Sequence, residues 1–98
     1  MKVAEITTTL EVEVLAEDIV SGTECKSCDC PISRAVNRLV DDADAQTSLI
    51  DVYLFPKGGE LNAAKVAILP RIAREFIERF DEGGPQAVSP IKFPLVFN

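Results

Sequence analysis

Leu49-Ile50-Asp51-Val52-Tyr53-Leu54-Phe55, followed at once by Pro56-Lys57-Gly58-Gly59-Glu60, decides the fold. The first seven residues are rich in β-branched and aromatic side chains and read as a strand. The Pro-Lys-Gly-Gly run is turn chemistry, so residues 61–69 are expected to return as the hairpin partner. A hairpin in mid-chain, with helical patterns on either side, places two strands between two helices.

Upstream, the spacing predicts a helix from residue 31 to about 42. Pro31 suits the first helical position, where its missing N–H would be unpaired anyway. Ile32, Ala35, Val36, Leu39 and Val40 recur at i, i+3, i+4, i+7 and i+8 and form the expected buried stripe. Asp41, Asp42 and Asp44 then bring negative charge to the helix end, where the dipole disfavours it. Before this helix, residues 5–14 alternate. Ile6, Thr8, Leu10, Val12 and Val14 face one way, while Glu5, Thr7, Thr9, Glu11 and Glu13 face the other, as in a strand with one buried face. Residues 16–20 read as one helical turn closed by Ser21-Gly22.

Downstream, Pro70 opens a second helix with Ile72, Ala73, Phe76, Ile77 and Phe80 on one face, and Gly83-Gly84-Pro85 closes it. Arg71–Glu75, Arg74–Glu78 and Glu75–Arg79 are spaced to pair along it. Ile91, Phe93, Leu95 and Phe97 alternate with Lys92, Pro94 and Val96 in a last strand. Pro94 cannot donate to a ladder and assigns that strand to an edge. The order is β-α-β-β-α-β in a single α+β domain spanning residues 1–98. The expected packing is a four-stranded antiparallel sheet with two helices on one face, in the ferredoxin-like topology.

Composition narrows the function. The 47% apolar content is that of a globular chain and not of a disordered one. No apolar run approaches the roughly 20 residues of a membrane span, and the start alternates like a strand, so a cytoplasmic location is expected. Sixteen acidic residues against ten basic ones give a net charge of -6, which argues against direct nucleic-acid binding. The same acidic surface could imitate nucleic acid towards a DNA-binding protein. The chain has no histidine, which removes Ser-His and Cys-His nucleophile pairs; no catalytic residue and no cofactor is assigned.

Cys25-x-x-Cys28-x-Cys30 supplies three soft ligands within six residues. A structural zinc site takes four, so the fourth would have to be Asp18, Glu24, Asp29, water or a partner subunit. A disulfide between Cys25 and Cys28 or Cys30 is sterically conceivable but unfavoured in a reducing compartment. Alternatively, Cys30 is a small buried residue at the helix start and the other two belong to the loop. A thiol in that place also feels the positive end of the helix dipole, which favours the thiolate.

The first helix carries the candidate site. Within it Arg34 has no carboxylate at four-residue spacing, and Arg38 lies four residues on, a mildly repulsive arrangement. Arg34 also sits in the first turn, where the dipole disfavours a cation. An anion there would be met by free N–H groups, the Ser33 hydroxyl and the guanidinium forks of Arg34 and Arg38, with Asn37 on the same face to orient the ligand. The competing reading is that Asp29, Glu24 or an acidic strand residue neutralises Arg34 in a surface ion pair.

The stretch Cys30-Pro31-Ile32-Ser33-Arg34-Ala35-Val36-Asn37-Arg38, with Ile77-Glu78-Arg79-Phe80-Asp81 and Gly83-Gly84-Pro85, resembles small uncharacterised accessory proteins of tailed bacteriophages and prophages. Those share a Cys-Pro-[Ile/Val]-Ala-x-Ala-like helix start and a closing Phe-Ile-x-x-Phe-Asp helix; here Ser33 stands where alanine is usual. The group brings no catalytic or binding residues. What the resemblance implies is an anti-defence protein in the host bacterial cytoplasm. The expected role is a non-enzymatic homo-oligomer that sequesters a small anionic, nucleotide-derived defence signal through Ser33, Arg34, Asn37 and Arg38. The alternatives are an inhibitor that occupies a host defence protein through its acidic surface, and a small metal-stabilised structural module.

Overall fold

Alternation builds the first strand from Thr9, whereas Val3–Glu5, where the expected strand began, form a short 3-10 helix. In the computed structural model, which describes residues 1–6, 9–58 and 64–97, β1 (Thr9–Val14) buries Leu10, Val12 and Val14 and exposes Thr9, Glu11 and Glu13. The turn at 16–20 is helix α1 (Ala16–Ser21), and Gly22 ends it by donating its N–H to the Asp18 carbonyl at 2.9 Å. Next comes α2 (Pro31–Leu39), with Ile32, Ala35 and Val36 buried and Leu39 partly so. Later, α3 (Arg71–Gly83) buries Ala73, Phe76, Ile77 and Phe80. Its stripe starts at Ala73, leaving Ile72 half exposed at the margin. Gly84, at φ +76°, caps α3 in a backbone region that favours glycine. Along α3, Glu75 holds both Arg71 and Arg79.

The sheet departs from the expectation. Five strands form two small antiparallel sheets: β1 pairs with β5 (Ile91–Val96), and β2 (Ala43–Thr47), β3 (Asp51–Pro56) and β4 (Lys65–Ile68) pair in that order. One antiparallel bridge, Ala67 to Phe97, links β4 to the end of β5. This is not a single four-stranded ferredoxin-like sheet.

The cause lies in residues 40–47. The chain leaves helical geometry at Val40 instead of continuing to about Asp42, because the residues beyond it have other partners. The Asp42 carboxylate accepts the Val3 N–H at 2.7 Å, and the Asp41 N–H donates to the Met1 carbonyl at 2.8 Å. Ala43, Ala45 and Thr47 then point inward as β2, opposite Pro56, Leu54 and Val52 of β3. Small inward side chains let α2 pack directly on this strand.

The central hairpin forms, with Tyr53 opposite Val66 and Leu54 opposite Lys65, but its first strand begins at Asp51: Leu49 and Ile50 make an exposed bend between β2 and β3. The turn residues Gly59 and Glu60, the expected strand start at Leu61, and Thr7 and Thr8 lie outside the described residues. Pro94 sits opposite Glu11 in the β1–β5 ladder. Two residues on, the Glu13 carbonyl is turned to Arg38 of α2. That alternation points the backbone groups of Glu11 and Glu13 away from β5, so no carbonyl of β1 is left waiting for the N–H that Pro94 lacks.

Inward side chains of both sheets and the buried stripes of α2 and α3 make one core, in which Phe80, Phe93, Ile32, Leu54, Leu69 and Leu95 are fully enclosed. The outer border of β2 is closed. Its outward Ala45 N–H donates to Asn37 Oδ1 at 2.8 Å, and the Thr47 N–H donates to the Ser27 carbonyl at 2.9 Å.

Candidate functional site

The cysteine segment is a closed loop. Thr23 donates its N–H to the Asp29 carbonyl at 2.8 Å and its hydroxyl to Asp29 Oδ2 at 2.6 Å, tying the two ends together. Cys25 has φ +56°, a left-handed conformation rare outside glycine and asparagine, and its N–H is held by Asp81 of α3 at 2.9 Å. Cys30 is the N-cap of α2: its sulfur accepts the Ser33 N–H at 3.5 Å, and its side chain is buried. Cys25 and Cys28 are exposed, and all three cysteines are free thiols. Among the described residues no three Cys, Asp or Glu side chains come together as a metal site.

Ser33 points inward and is fully buried. Its hydroxyl donates to the Ser27 carbonyl and accepts from Thr47 Oγ1 at 2.7 Å, because its one proton is already committed to Ser27. Ser33 therefore anchors the cysteine loop to α2 and β2, and both its N–H and its hydroxyl are turned away from solvent.

Arg34 finds a carboxylate outside its helix: Nη1 lies 2.7 Å from Asp29 Oδ1, and both side chains are about a third exposed. This is the surface ion pair that competed with a ligand site. The Thr23 hydroxyl, and then Arg34, hold the Asp29 carboxyl below the ordinary aspartate value. Arg38 is gripped more firmly. Its Nη1 and Nη2 reach Asp18 Oδ1 and Oδ2 at 2.6 and 2.9 Å, and Nη2 also donates to the Glu13 carbonyl at 3.0 Å. Asp18 accepts the Leu15 N–H at 2.9 Å as well and is only 5% exposed in its side chain. This bidentate bond holds the Arg38 guanidinium still more firmly protonated than usual. Arg38 thus ties α1, α2 and β1 together.

Arg34, Asn37 and Arg38 do share a cleft. It has a volume of about 460 Å³ and runs between α1 and α2, with Glu17, Asp18 and Ser21 on the α1 side and Cys28 and Asp29 at the loop end. Three carboxylates face two guanidinium groups there, so the cleft offers mixed charge and no net attraction for a bare anion. Asp29 reaches Arg34 from the adjoining loop, and Asp18 reaches Arg38 through the tertiary fold. Asp18 stands 20 residues from Arg38, beyond any helical spacing rule. No protein-family model, curated protein or solved structure matches this chain.

Proposed function

We propose that the chain is a non-enzymatic binding protein whose α1–α2 cleft takes a nucleotide-sized ligand bearing both an anionic group and hydrogen-bond donors, in the cytoplasm of a phage-infected bacterium. The observation that carries this reading is the half-exposed Arg34–Asp29 pair on the cleft wall. A pair of that kind is weak. Only Nη1 of Arg34 engages Asp29, so a ligand oxyanion can take the guanidinium fork with little loss and without burying a new charge. Asn37 spends its Oδ1 on β2 and keeps its amide N–H groups for the ligand. Across the cleft, Glu17 and Ser21 can accept hydrogen bonds from an amine-bearing base or a sugar hydroxyl. The volume lies within the usual range for small-molecule sites. Arg38 positions this wall and is not free to bind.

Thermal unfolding with a panel of mononucleotides, cyclic dinucleotides and inorganic phosphate tests the reading. A nucleotide should raise the wild-type midpoint while phosphate alone should not. Arg34→Ala should abolish the rise. Asp29→Asn, which removes the internal competitor, should tighten binding about threefold. If no nucleotide shifts the wild type, or if both variants lose the response equally, the cleft is structural.

A further inference from the structure

The outward faces of both sheets carry apolar side chains that no described part of the chain encloses. Tyr53 and Phe55 of β3 stack there with ring centroids 5.9 Å apart, and Val66 lies opposite Tyr53. The Ala67–Phe97 bridge sets Ile68 beside Val96, because residues on either side of an antiparallel pair lie opposite each other and point to the other face. Both are well exposed, Ile68 at 60% and Val96 at 55%. Pro94, also exposed, continues the apolar strip along β5. The strip therefore runs across both sheets without a break in side-chain parity.

Charge around it is one-sided. Among the described strand residues, Glu11 and Glu13 of β1, Asp44 of β2 and Asp51 of β3 point outward beside the strip, against Lys92 of β5, with Lys57 exposed just past the end of β3. An apolar centre with a charged rim is the anatomy of a protein interface. A second copy would press acidic rim against acidic rim, on a chain whose net charge is already -6. We infer that this sheet face docks a partner protein whose surface presents an apolar centre ringed by lysine and arginine. The inference is independent of the cleft and stands if no small ligand binds there.

The test uses two synthetic amphipathic peptides with the same apolar core, one flanked by lysines and one by glutamates, titrated into the isotope-labelled protein. The Lys-flanked peptide should shift the backbone amide signals of Tyr53, Val66, Ile68 and Val96, with an apparent affinity that falls several-fold as salt is raised. The Glu-flanked peptide should not. Ile68→Glu should abolish the shifts while leaving the unfolding midpoint near that of the wild type, since the side chain is exposed. Glu11→Lys with Asp51→Lys should reverse the peptide preference. Equal response to both peptides, or none, would overturn the inference. So would a concentration-dependent doubling of mass in sedimentation that Ile68→Glu removes, which would identify a second copy as the occupant.

Discussion

Replacing Arg38 with methionine should unfold this protein more readily than any other exchange of a half-exposed charge in it. Methionine keeps the apolar stem of the side chain but removes both hydrogen bonds to Asp18 and the one to the Glu13 carbonyl. Asp18 remains as an enclosed carboxylate with one donor, the Leu15 N–H. Orphaning one member of a buried ion pair costs about 3–5 kcal/mol. Arg38 is itself 38% exposed, so water can reach the vacated side, and screening lowers the expected loss to about 2–3 kcal/mol. For a domain of this size that corresponds to a midpoint roughly 10–20 °C lower.

Asp18→Asn should cost less, about 1 kcal/mol. Its amide oxygen can still accept the Leu15 N–H, and the released guanidinium can turn to solvent. The double variant should cost less than the sum of the two. Urea unfolding followed by circular dichroism measures all three, provided the slopes agree. An Arg38→Met loss within about 0.5 kcal/mol of zero, or equal to that of Asp18→Asn, would show that no stranded carboxylate governs the effect and refute the reasoning.

Two further perturbations probe the frame of the cleft. Gly22→Ala would place a methyl 2.8 Å from both the Asp18 carbonyl and the Pro31 ring, forcing α1 away from α2, and chemical denaturation should show a loss of about 2 kcal/mol or more. The Asp29 carboxyl titrates below its ordinary 3.8, so its contribution is complete above that value and is lost as pH falls through the lower folded-state value. Stability curves of wild type and Asp29→Asn should therefore run parallel from roughly pH 5 to 8 and converge only below about pH 4, as read by thermal melts across a pH series.

Strong periodicity was legible and weak periodicity was not. β1, α2, α3 and the central hairpin follow from side chains that repeat at 2 or 3.6 residues. β2 escaped because Ala-Asp-Ala-Gln-Thr has poor strand propensity, although its alternation of small inward and polar outward residues was there to find. Missing that strand made four strands of five and a single sheet of two. At the site, spacing along α2 correctly showed that the helix supplies Arg34 with no carboxylate. The competing reading that Asp29 neutralises Arg34 is the one the structure shows, whereas no spacing rule reveals that α1 delivers Asp18 to Arg38. The burial of Ser33 has a related cause: its position on the helix faces Ser27 and Thr47, and Thr47 arrives with β2, whose weak strand propensity hides it in the sequence. The uncovered sheet face emerges only when the register aligns Tyr53 with Val66 and the bridge sets Ile68 beside Val96.

The closed border of β2 has a consequence for polymerisation. Asn37 and the Ser27 carbonyl already occupy the N–H groups that an incoming chain would need, so no foreign strand can zip onto that flank. Growth of a fibre by strand addition at β2 is therefore barred by the same amide and carbonyl that hold the helix and loop in place.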